Sequence, residues 1–274
     1  MSAAPHAKTG IARAVGPDAS ARLRDAAKVI LWGLLLYGAV LLVGSKLQAK
    51  ALGSLALQMV IAEWGAGRLA VAWSDPAADP PTSAAIARRA GRGVTLGLLG
   101  GAFVVVFALA THGLVAFPNT PEPGQLGMGG LTAGLIAARD ELLLRGVVLR
   151  AFRNSCPTLV LLLICGGAGA AAEYGLLGGS GAADPVRLAI AGLLAMVFAS
   201  LWLVDRGGWF PLGAHMAWTT ATGALIRGGL LDLRSPTTPW GGGDGGVLGS
   251  LATLVALVPL TALAVGWASR IRRR

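Results

Sequence analysis

The chain has 274 residues, of which 54% are hydrophobic and only 13% charged, with a mean hydropathy of +0.67. Soluble domains carry roughly a quarter charged residues, and the apolar runs here are continuous in Leu, Ala and Gly without strand alternation, which excludes a soluble domain and a membrane barrel. The net charge of +10 does not signal nucleic acid as a partner, because the basic residues flank apolar spans and do not gather on a soluble face.

Residues 1–26 are rich in Ala, Arg and Gly without helical periodicity, and read as a disordered basic arm. No cleaved signal is expected, since the first apolar run starts only near Ala27 and is too long. Residues 27–117 read as N-terminal transmembrane helices. Their first span is Ala27–Gly44, and a second, Ala51–Trp73, is interrupted by Glu63 and Arg68. Residues 74–92 form a Pro-rich, basic connector before a third span at Val94–Phe117. A turn-rich loop without Lys or Arg, residues 118–130, follows.

Further spans are expected at Leu131–Phe152, Thr158–Leu177, Val186–Val204, Trp209–Ile226 and Val247–Trp267, the last lying in a segment 247–274 that ends in a basic tail. The fold class is therefore all-α, a polytopic membrane protein with about eight transmembrane helices. Arg88, Arg89, Arg92, Arg150, Arg153, Arg206 and the terminal arginines fall on one side, against Lys46, Lys50, Arg187, Arg227 and Arg234 on the other. This asymmetry favours both termini in the cytoplasm, with the cell inner (plasma) membrane as the location. Cys156 and Cys165 have no metal or redox spacing and read as packing residues. The tryptophans fall partly near span ends, as an aromatic belt would place them.

The span Leu131–Phe152 carries Arg139, Asp140, Glu141 and Arg145 at its middle. Each unpaired charge there costs about 2.5–3.5 kcal/mol, so these groups must face one another or a cavity. Glu141 and Arg145 are one turn apart in the favourable order for an ion pair. Asp140 lies about 100° away around the helix and is free to face a cavity; Arg139 is a candidate partner for it, although adjacent residues do not face each other on a helix. His215 lies in the seventh span, with Thr219 one turn later on the same face. A histidine and a carboxylate helix in one membrane domain suggest a shared polar site.

The stretch RDELLLRGVVLRAF (Arg139–Phe152) resembles the first motif of the CPBP (CaaX protease and bacteriocin-processing, or Abi) family of intramembrane endopeptidases. DRGGWFPLGAHMAWTT (Asp205–Thr220) resembles that family's last motif, and the resemblance assigns residues 129–226 to a protease core. It implies hydrolysis of a peptide bond in a hydrophobic or prenylated substrate, through a water activated by a first-motif carboxylate and a middle histidine. The last histidine and an asparagine would stabilise the oxyanion. On this chain the matching positions are Asp140, Glu141, Arg145, His215 and Thr219, the catalytic set the resemblance implies.

Three positions depart from the pattern. Asp140 stands where the first glutamate is usual, Thr219 replaces the asparagine, and Gly178 falls at the middle histidine, with Tyr174 at the start of that motif. Glu173 lies nearby but five residues from position 178, about 140° away on a helix, and is not a substitute. Two readings follow: an intramembrane endopeptidase, and a catalytically degenerate pseudoprotease that binds membrane segments as a scaffold. A small-solute transporter is disfavoured because no internal repeat is evident. No cofactor is expected. A divalent metal such as zinc is the disfavoured alternative, since it needs about three protein ligands, which only Asp140, Glu141 and His215 would supply, and no His-Glu-x-x-His occurs. The expected partners are the bilayer and a hydrophobic or lipidated peptide substrate. His112, near a span end, is expected to have no special role.

Overall fold

The structure, a computed structural model, describes residues 19–47, 52–74, 81–117, 123–176, 185–225, 232–234, 236–238, 240–242 and 249–272. The described residues form helices α1 (Ala19–Lys46), α2 (Leu52–Arg68), α3 (Ser83–Ala110), α4 (Pro123–Asp140), α5 (Val147–Phe152), α6 (Thr158–Leu176), α7 (Pro185–Asp205), α8 (Trp209–Thr219) and α9 (Leu251–Arg272). Two π-turns, Glu141–Gly146 and Thr220–Leu225, extend α4 and α8. The short strands β1 (Val115–Phe117) and β2 (Asp232–Arg234) pair antiparallel, with Ala116 opposite Leu233. Among the described residues four helices are long and apolar enough to cross a membrane: α1, α3, α7 and α9.

Helix begins earlier than expected at three places. Residues 19–26, read as part of the basic arm, open α1, because Ala and Arg are strong helix formers whatever face they present. Asp25 there meets Arg150 at 3.2 Å. The connector 74–92 ends at Thr82, whose extended backbone and hydroxyl cap α3 by accepting from the Ala85 N–H at 3.3 Å. The loop before the charged span likewise turns helical from Pro123, a residue suited to the first helical position.

The outward faces are apolar. Leu34 is 65% exposed, Leu99 63% and Leu263 71%, a distribution that suits contact with lipid. The inside is assembled by close backbone approach. A Cβ at Gly93 would strike the Phe210 carbonyl, one at Gly97 the Ala214 carbonyl, and one at Gly213 the Ala90 carbonyl. Small residues let membrane helices pack at this distance, and here they press α3 against α8 beside His215.

One end of the bundle is basic. Arg89 reaches Asp205 (3.6 Å), Arg150 reaches Asp25 (3.2 Å), and Arg272 donates to the Arg153 carbonyl. These contacts bring together the starts of α1 and α3 with the ends of α5, α7 and α9. At the C-terminus of α3, His112 takes a left-handed backbone (φ 57°) and is exposed. It terminates the helix, with the following Gly113 N–H donating back to the Ala108 carbonyl at 2.7 Å.

Candidate active site

The charged span is helical from Pro123 to Phe152, but its middle is a π-turn. The Val147 N–H bonds the Leu142 carbonyl, five residues back. Such turns are rare and concentrate at functional sites. A second π-turn follows His215's helix at Thr220–Leu225.

Glu141 is fully buried and accepts from three sides. Arg145 Nη1 lies 3.1 Å from its Oε1, His215 Nδ1 lies 2.9 Å from the same oxygen, and Trp202 Nε1 donates to Oε2 at 2.6 Å. The expected Glu141–Arg145 pair is present, and His215 joins it as the third member. Phe198 floors the group: His215 stacks on it with ring centroids 4.5 Å apart, and the Arg145 guanidinium lies 5.3 Å from its ring centre. Arg145 Nε is buried and has no hydrogen-bond partner among the described residues. An unpaired buried donor is uncommon in folded proteins.

Asp140 has a different partner. Its Oδ1 accepts from Arg139 Nε at 2.7 Å, and Arg139 Nη1 donates to Gln58 Oε1 at 2.6 Å. Gln58 Nε2 in turn donates to Ser54 Oγ at 3.1 Å. Arg139 is thus the partner of Asp140 although the two are adjacent, because the long arginine side chain folds back over the shorter one. The chain of bonds ties α4 to α2.

Thr219 lies one turn beyond His215 and is half-buried; no hydrogen bond joins it to the cluster among the described residues. Gly178 lies outside the described residues. Glu173 pairs with Arg187 Nε at 2.5 Å. Glu63 accepts from Trp73 Nε1 at 3.0 Å, and Arg68 sits 5.3 Å from the Trp64 ring centre. Among the described residues no three His, Cys, Asp or Glu side chains lie close enough to hold a metal ion.

Sequence reasoning missed Trp202, Phe198, Gln58 and Ser54. Trp202, three residues from the end of α7, was expected in the aromatic belt; it is buried and stacks with Trp73 (6.4 Å between ring centroids). A signal for two of the others was present. Ser54 and Gln58 are polar residues one turn apart in an apolar helix, the pattern of a polar face turned inward.

Residues 122–221 match the family model described as type II CAAX prenyl endopeptidase Rce1-like. Over these residues the chain is similar to the CPBP/CAAX protease family. No curated protein and no solved structure matches the chain. The CAAX family is a family of membrane proteases, and the chain is an integral membrane protein. The match runs from the edge of α4 through α8 and takes in Asp140, Glu141, Arg145, Trp202 and His215. Gln58 and Ser54, which brace Arg139, lie outside it.

Proposed function

We propose that this chain is an intramembrane endopeptidase that hydrolyses a peptide bond in a hydrophobic or prenylated, membrane-associated substrate. The observation that carries this reading is the contact between Glu141 and His215 Nδ1, 2.9 Å, inside the family segment. When neutral His215 donates its Nδ1–H to the carboxylate, Nε2 carries the lone pair and faces away from Glu141. Nε2 then takes a proton from water as the water oxygen attacks the peptide carbonyl carbon. The tetrahedral intermediate expels the amine, which receives that proton from His215. Arg145 and Thr219 are the donors we assign to the developing oxyanion. Asp140, charge-paired to Arg139, is the second candidate base.

Eight crossings fit this reading, with α2, α4–α5, α6 and α8 completing the four longest helices. The basic end then faces the cytoplasm. In detergent or liposomes the purified chain should release product from a prenylated peptide. His215→Ala should lower that rate by on the order of 10²–10⁴-fold. Cleavage that survives both His215→Ala and Asp140→Ala sinks the assignment.

A non-catalytic scaffold is favoured by one observation: three donors already engage the Glu141 carboxylate, and Arg139 engages Asp140. That reading predicts stable crosslinks to membrane partners and no turnover by the unaltered protein.

A further inference from the structure

A cavity of about 470 Å³ opens at the basic end, between the segment after α2 and the ends of α5 and α7. Arg150, Arg153 and Arg206 line it, together with the polar side chains of Asn154 and Ser74 and the ring of Trp202. No carboxylate among the described residues forms part of the lining. Arg150 shares its charge with Asp25 at 3.2 Å, and both are exposed. Asp205, next to Arg206, is committed elsewhere, to Arg89 and to the Phe210 N–H.

Arginines at the cytoplasmic end of a bundle are expected simply from orientation, and that alone makes no site. Two features go further. The three come from two separate parts of the chain, the end of α5 and the α7–α8 turn, and converge on one concavity. Arg206 also occupies the left-handed position that ends α7 (φ 54°), where glycine is usual, although Gly207 and Gly208 follow directly.

We infer that this cavity binds a phosphate-type oxyanion, through forked guanidinium contacts from Arg153 and Arg206 with Arg150 at the rim. The anion comes from an anionic lipid headgroup or from free phosphate. Its floor is the Trp202 indole, whose N–H holds Glu141, so the cavity and the buried cluster share a wall.

The test uses the full chain in detergent, titrated calorimetrically with dihexanoyl phosphatidic acid, dihexanoyl phosphatidylcholine and inorganic phosphate. Saturable binding of phosphatidic acid without phosphate identifies a headgroup site, and binding of phosphate as well identifies a general oxyanion site. Arg153→Gln and Arg206→Gln, each made singly and each retaining the thermal midpoint, should weaken binding by about tenfold or more. Arg270→Gln removes a charge from the same end but outside the cavity, and should leave binding unchanged. Two results overturn the inference. One is no saturable binding of either anion by the unaltered chain, and the other is an Arg270→Gln loss equal to that of Arg206→Gln.

Discussion

Asp140 and Glu141 are consecutive carboxylates that belong to different networks. Glu141 faces α7 and α8 and is enclosed by Arg145, His215 and Trp202, with no exposed surface. Asp140 is held by Arg139, which reaches Gln58 on α2. About 100° of helix rotation separates two neighbours, and in a bundle that angle is enough to choose a different partner helix. The two acids of the first motif are therefore unequal. One anchors the histidine, and the other anchors the arginine that crosses to the N-terminal helices.

Substitutions on the two sides test this inequality. The largest effect is expected from Glu141→Gln, which leaves the Arg145 charge buried without its counterion. That should cost about 3–5 kcal/mol of stability, seen as a large fall in the thermal midpoint, together with loss of hydrolysis. Asp140→Asn comes next. It also leaves a buried arginine without its counterion, but Arg139 keeps its bond to Gln58 and the pair is less completely enclosed than Glu141. The cost should lie at the lower end of the same range, about 3 kcal/mol. If its hydrolysis falls as far as that of His215→Ala, Asp140 is the base and the assignment of His215 is wrong. Trp202→Phe follows. It keeps the ring on Trp73 but removes one hydrogen bond to a charged carboxylate, for a cost of about 1.5–3 kcal/mol, and it should lower turnover more than apparent substrate affinity.

Gln58→Leu is the mildest, about 1 kcal/mol, since Arg139 retains Asp140. Trp202→Phe and Gln58→Leu combined should add within about 0.5 kcal/mol; a larger coupling would show that the two networks are one.

The sequence displayed the membrane class, the order of the helices and the Glu141–Arg145 pair, because these follow from hydropathy and from a spacing of four. It also displayed His215 as a partner for a carboxylate of the charged span, without saying which of Asp140 and Glu141 the fold brings to it. That choice depends on how α4 is rotated against α7 and α8, and rotation is set by packing between segments far apart in the sequence, such as Gly134 of α4 on Met216 of α8. Trp202 was hidden for a related reason. A tryptophan near a span end reads as interfacial until the neighbouring helix shows it a carboxylate. The early starts of α1, α3 and α4 were hidden because polar helical turns lack the apolar period on which spans are recognised.

The π-turn at Glu141–Gly146 also bears on how this segment tolerates insertions and deletions. A π-turn is an α-turn carrying one surplus residue, so α5 is in step with α4 only while that residue is kept. Removing Leu144 would let the turn relax to ordinary α geometry and leave Val147–Phe152 on their present packing face. Arg145 and Glu141 would then stand three apart, and the ion pair would have to re-form across a different diagonal. Elsewhere in the bundle a one-residue deletion rotates everything that follows. Here the change in chain length would be absorbed within the turn that carries Glu141 and Arg145.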